Sequence, residues 1–429
     1  MDERTELDRP HAPHRLRPMR ARDASETHRA ATPLELLFDL TLVVAFGAAS
    51  DELAHLLAQG HVAAALTGFT VAIFATCWAW INYTWFASAY DNDDWFFRVA
   101  TMVQMFGVLL LSLGLPQFFE SLEAGESPDL RVMVAGYVVM RVSMVVLWIR
   151  AARGDPRRRR VCLTYAGLIA LAQVGWVAVA VFHPPLVAGL VLAGLLIVAE
   201  MATPVVAERQ GPQTPWHPHH VAERYGLLAI IAFGEGILGT TASISAVVQE
   251  QGWSVEALTV GFAGVALIFG MWWVYFMPDQ GVVLERRAER AFVWGYGHIL
   301  VYGSIAAVGA GLHVAALSVE GESVLGVVPT LLAVAIPVLL FVLLTFGLYA
   351  LLVGTVDRLH LVLVVGTVAC LAAGVLLGAA GASLGVALAV VALAPWVSVV
   401  GYETVGHRHG VVHMEHLAQR RRASTPPAP

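Results

Sequence analysis

Residues 34–50 read LELLFDLTLVVAFGAAS. Only Glu35 and Asp39 carry charge in this stretch. Extended to residue 58 it is long enough to cross a bilayer, because a transmembrane helix needs about 20 mostly apolar residues. The rest of the chain repeats the pattern. Of 429 residues, 58% are hydrophobic and only 14% are charged. A soluble domain carries about 25% charged residues. A cytosolic globular enzyme, a disordered chain and a disulfide-stapled secreted module are thereby excluded. The composition predicts an all-α polytopic membrane protein.

The continuous apolar runs predict twelve helices. Six lie near 34–58, 62–86, 98–119, 130–150, 161–182 and 185–201. Six more lie near 219–248, 256–277, 290–317, 324–354, 360–379 and 383–402. Transmembrane strands would instead read as short alternating segments. The bases test this count. All 26 are Arg, and every one except Arg131 and Arg141 falls in the even-numbered loops, the two tails or the adjoining helix ends. The opposite loops carry acids: Glu120, Glu123, Glu126, Asp129, Glu250, Glu320 and Glu322. The positive-inside rule then places both termini in the cytoplasm. Trp85, Trp95, Trp272, Trp273 and Trp294 fall near predicted helix ends, as an interfacial belt would.

Residues 1–33 hold seven Arg and six acids and no apolar run. They read as a disordered cytoplasmic arm, not a cleaved signal. The near balance of charge argues against nucleic acid as a partner. Residues 202–218 read as a cytoplasmic linker, and 403–429 as a His- and Arg-rich cytoplasmic tail. In that tail His409, His413 and His416 share one helical face, which reads as a solvated surface. The Arg157–Arg160 run reads as a headgroup anchor. Cys77, Cys162 and Cys370 lie in apolar runs and form no pairing framework.

The opening stretch has a counterpart in ERYGLLAIIAFGEGI at 223–237. Ala-Phe-Gly at 45–47 recurs at 232–234; CWAWINYTW, ending at Trp85, answers GMWWVYFMP, ending at Pro278. Arg98 and Arg290 then open the third helix of each set. The preserved order predicts two six-helix repeats, 34–201 and 219–402. Six is even, so the repeats would run parallel, an architecture of secondary transporters with a site near the midplane.

Polar groups inside apolar helices are costly, about 2.5–3.5 kcal/mol for a central charge on insertion scales. They are therefore the candidate solute or proton pathway. Glu35 and Asp39 are four apart and share a helix face. Thr32 and Pro33 suit a helix start, which gives Glu35 a capping role as an alternative. His220, Glu223 and Arg224 open the seventh helix, and Glu223 is expected to pair with Arg224 or with an Arg on another helix. An H-x-x-E pair can ligate metal in di-metal bundles, but a matching second pair is lacking, so no metal and no cofactor are expected. Glu235 is the sharpest signal, about midway along its helix among Gly234, Gly236 and Gly239. Those glycines would either break the helix, as at transporter sites, or admit a closely packed neighbour. Two readings of Glu235 stay open: a proton carrier, or a static salt bridge to Arg141. His298 and Gln104 lie at comparable depth; Gln173 and Asn82 suit interhelical hydrogen bonds.

TPLELLFDLTLVVAF (32–46) and HHVAERYGLLAIIAFGEGI (219–237) together resemble the two signatures of the bacterial low temperature requirement protein A (LtrA) family. WWVYF at 272–276 and Gly297-His298 fit as well, and the similarity runs in order over about 35–300. Residues 324–402 match only as generic apolar helices. The family usually has a second aromatic where Leu37 stands. The resemblance implies a multi-pass inner-membrane protein named for a growth phenotype in the cold. It marks Glu35, Asp39, His220, Glu223, Arg224 and Glu235 as motif positions without giving any of them a role.

No Walker loop, dinucleotide-binding glycine pattern, HExxH or GxSxG is present, so an enzyme or an ATP-driven pump is not expected. The leading expectation is a secondary transporter of a small solute, proton-coupled in its sharpest form. A channel, or a non-transporting stress or regulatory membrane protein, is the alternative. The expected partners are the bilayer, a small solute or ion and protons. A homo-oligomer is compatible with the composition.

Overall fold

A computed structural model describes residues 16–23, 26 and 29–406. The rest of the N-terminal arm and the histidines at 409, 413 and 416 lie outside the described residues. Among the described residues the chain is helical without strands, as backbone polar groups in lipid require. Twelve helices are long and apolar enough to cross a membrane. They are α1 Pro33–Ala58, α2 Val62–Tyr90, α3 Trp95–Glu123, α4 Arg131–Gly154, α5 Pro156–Phe182 and α6 Leu186–Glu208. The others are α7 Pro218–Glu250, α8 Val255–Arg286, α9 Ala288–Val319, α10 Val327–Val353, α11 Arg358–Ala379 and α12 Leu384–Val405. The count is the one read from the sequence. Several helices outrun their apolar cores: α6 was expected to end at 201 and continues to Glu208.

The chain forms two compact units. One comprises residues 1–45 and 75–224, the other 46–74 and 225–429. In the first, α3 packs on α4, α4 on α5 and α5 on α6. Small residues let backbones touch where hydrophobic burial cannot drive association in lipid. A Cβ on Gly136 of α4 would lie 2.3 Å from the Leu111 nitrogen of α3. In the second, α9 packs on α10, α8 on α12, and α11 on both α10 and α12. The glycine- and alanine-rich α9 has 78% of its apolar window buried, against 22% for α6. Helix α9 is thus the core element of its unit. Helix α6 instead presents Val187, Val191, Leu195 and Val198 outward, as a lipid-facing helix does.

Two sequence expectations are corrected. Helix α7 is continuous, so Gly234, Gly236 and Gly239 do not break it. Every unpaired backbone group in lipid costs several kcal/mol, and close packing uses Gly236 and Gly239 instead, while Gly234 has no neighbour within 4 Å of where its Cβ would lie. A Cβ on Gly239 would sit 2.3 Å from the Gly309 carbonyl oxygen of α9, and one on Gly236 would meet Ile268 of α8. Trp294 does not sit in an interfacial belt. It is buried, and its indole N–H donates to Gln280 Oε1 at 3.2 Å.

Candidate functional site

In the first unit, helix α1 starts with a capping box. The Thr32 hydroxyl accepts from the Glu35 N–H at 3.2 Å, and the Glu35 carboxylate accepts from the Thr32 N–H at 2.8 Å. Capping and ion pairing are therefore both roles of Glu35. One turn deeper, Asp39 accepts from the Trp80 indole at 2.6 Å. Arg224 of α7 lies between the two acids. Its Nε donates to Asp39 Oδ2 at 3.0 Å, its Nη2 to Asp39 Oδ1, and its Nη1 lies 2.9 Å from Glu35 Oε1. His220, one turn before Arg224, places Nε2 3.3 Å from Glu35. Glu35, Asp39, His220 and Arg224 are all fully buried. The guanidinium also lies 5.8 Å from the Trp80 ring and 5.7 Å from the Tyr83 ring. A fork of donors on two carboxylates, walled by aromatics, suits Arg and not Lys.

Glu223 is not part of this cluster. It is exposed, and its carboxylate accepts from the Ala31 N–H at 3.3 Å. Positions 220 and 224 share the inward face, while 223 turns outward. Beside the cluster, Arg29 donates to the Ala87 carbonyl at 2.7 Å and to that of Ser88, closing the end of α2. Burial, and then the charge of Arg22, lower its guanidinium to about 10. In the loop after α2, burial and then the charge of Glu35 push the Asp91 carboxyl up to about 6.

A second buried network in the same unit corrects the expected partner of Arg141. Arg141 of α4 pairs with Glu200 of α6 at 2.9 Å, not with Glu235. Tyr137 donates to Glu200 at 2.5 Å, Trp176 donates at 2.9 Å and Gln173 at 3.3 Å. Arg141 and Glu200 are buried. Sequence reasoning passed over Glu200 because the apolar run seemed to end there. Gln104 on α3 is buried with an unpartnered amide nitrogen.

In the second unit Glu235 stands apart. It is 5% exposed, and its Oε1 has no hydrogen-bond partner. The backbone of Gly47 on α1 faces it, since a Cβ there would lie 3.4 Å from Oε1. His298 on α9 is buried, and its Nδ1 lies 2.8 Å from the Trp294 carbonyl, so that nitrogen carries the proton. With Tyr275, Gln280, Trp294 and Thr345 it lines a narrow, largely apolar pocket. Among the described residues no group of three or more metal-ligating side chains gathers in one place.

A protein of Rhizobium meliloti (strain 1021), described as "Uncharacterized protein RA0937", is 25% identical over 301 residues, 66% of this chain and 69% of that protein. No solved structure matches. The model of the family described as "Bacterial low temperature requirement A protein (LtrA)" matches residues 30–395, which include both signature stretches, both buried ion-pair networks and Glu235. This twelve-helix membrane protein therefore belongs to the LtrA family.

Proposed function

We propose that the protein is a secondary transporter of a small solute, coupled to protons, with Glu235 as the group that carries the proton. One observation supports this above the rest. Glu235 is a buried intramembrane acid with an unsatisfied oxygen and, among the described residues, no ion-pair partner. A charge in lipid is ordinarily paired or functional. The static salt bridge that would have made it structural is absent, because Arg141 is bound to Glu200. Such a carboxyl can take or release one proton without breaking an ion pair. A transport cycle needs that property.

The matching of 34–50 with 223–237 supports a six-plus-six parallel repeat. The Arg distribution supports cytoplasmic termini, and membership of the LtrA family supports an inner membrane. On this reading the protein is not an enzyme, and its partners are the bilayer, the solute and protons. Proteoliposome currents test the proposal. Wild-type and Glu235→Gln protein are compared on solid-supported membranes against amino acids, osmolytes, organic anions and cations, with and without a pH gradient. The expected result is a saturable, gradient-dependent current lost in a folded variant. A current that survives Glu235→Gln unchanged overturns the role of Glu235. Ohmic, non-saturating conductance overturns the transporter in favour of a channel.

A further inference from the structure

Glu235 sits inside the second unit, and a proton bound for it needs a way in. The contacts around it define one. Gly47 of α1 faces its carboxyl, and the Glu235 backbone packs against Gly309 of α9, where a Cβ would lie 2.7 Å from the Glu235 carbonyl oxygen. Four residues on from each glycine, on the same helix face, stand Asp51 and His313. These two meet: His313 Nδ1 lies 3.3 Å from Asp51 Oδ1. The pair is one helical turn, about 5.4 Å, further along than the glycines that flank Glu235. It also reaches the surface, because the Asp51 side chain is 71% exposed and that of His313 35%. Both residues lie in the last third of their helices. The helices themselves are held in register: Ser50 donates to the Ala306 carbonyl at 3.3 Å, and Ser243 of α7 to that of Leu312 at 2.6 Å. Asp51 is the charged group that acts on Glu235, and Asp51 and Glu320 are the charged groups that act on His313.

The geometry points to Asp51 and His313 as the proton port of Glu235, a surface carboxylate–imidazole pair that loads the buried acid from the membrane face where α1 and α9 end. The steps balance. An imidazolium at His313 gives its Nδ1 proton to the Asp51 carboxylate, and both become neutral. Asp51 passes the proton through water to an ionised Glu235 and returns to carboxylate. Bulk water then protonates His313 again. On the orientation given above, this face is the outer one, where protons would enter. The port rests on the proposed carrier role of Glu235, and the test separates the two.

The measurement is stopped-flow proton uptake by the full-length protein in nanodiscs, followed with a pH dye after a downward pH jump. The amplitude lost in Glu235→Gln is the proton of Glu235. Asp51→Asn and His313→Gln are each compared with their own Glu235→Gln double variant. The expected result is the full Glu235 amplitude in each, arriving at least about tenfold more slowly, with unchanged thermal stability. Uptake as fast as wild type in both variants overturns the port and leaves the carrier role standing. An unchanged amplitude in Glu235→Gln overturns both.

Discussion

The acids of the two units are held in opposite ways. In the first, Glu35 and Asp39 flank Arg224, and Glu200 holds Arg141 with three further donors. In the second, Glu235 has a glycine backbone before it and, among the described residues, no cation paired with it. Burial is nearly the same in all of them. Burial therefore does not decide whether an acid is clamped; the partner does. A buried carboxylate clamped by a bidentate guanidinium loses several kcal/mol if either member changes charge. An unclamped carboxyl changes charge without giving up an ion pair.

The contrast breaks most sharply at Arg224. Arg224→Leu leaves two buried carboxylates facing one another. We expect a loss above the about 3–5 kcal/mol usual for an orphaned buried charge, seen as failure to accumulate in the membrane. Arg224→Lys, which keeps the charge without the fork, should recover only part. Arg141→Met should cost about 3–5 kcal/mol in thermal or denaturant unfolding, because Glu200 stays buried. Adding Glu200→Leu should restore most of that loss, since an apolar pair of similar volume is often as stable as a buried ion pair. A double variant no better than the single would mean that the network does more than lock α4 to α6. Gly309→Ala should cost about 1–3 kcal/mol, because its methyl would overlap the Glu235 carbonyl.

The smallest effect sharpens the comparison outside the helices. The Asp91 carboxyl is raised in the folded protein from 3.8 to about 6. The folded state therefore binds this proton more tightly than the unfolded chain does. Ionising Asp91 opposes folding, in a manner absent below the unfolded value and complete above the folded one. Asp91→Asn should raise the melting temperature at pH 7 by a few degrees. The gain should disappear as the pH falls toward 4. A gain independent of pH would mean that burial of this charge is not its source.

Much of the architecture was legible in the sequence because lipid imposes one-dimensional rules. Run length gave the twelve helices, and Arg placement supported their number. Glu35 and Asp39 were legible as a pair from their spacing, and His220 and Arg224 as polar groups opening the seventh helix, but grouped with Glu223 and not with the two acids. The partners were not. Pairing is a three-dimensional fact: Arg141 found Glu200, which hydropathy had placed at a helix end, and not Glu235. The glycines of α7 illustrate a degeneracy. A broken helix and a close crossing both call for a residue without a side chain, and the unbroken α7 with Gly309 opposite Gly239 distinguishes them. Asp51 and His313 gave no signal, since neither stands in a motif and their contact joins α1 to α9.

Arg224 also has a consequence in time. It lies 185 residues after the Asp39 that it clamps. At about 5–20 residues per second, the ribosome needs roughly 10–40 s to make that stretch. During the interval α1 carries two acids into the membrane without their cation. The first helix of the nascent chain is thus provisional until the seventh is made. Chains that stop short of α7 would present uncompensated acids, a mark by which membrane quality control can distinguish incomplete chains from finished ones.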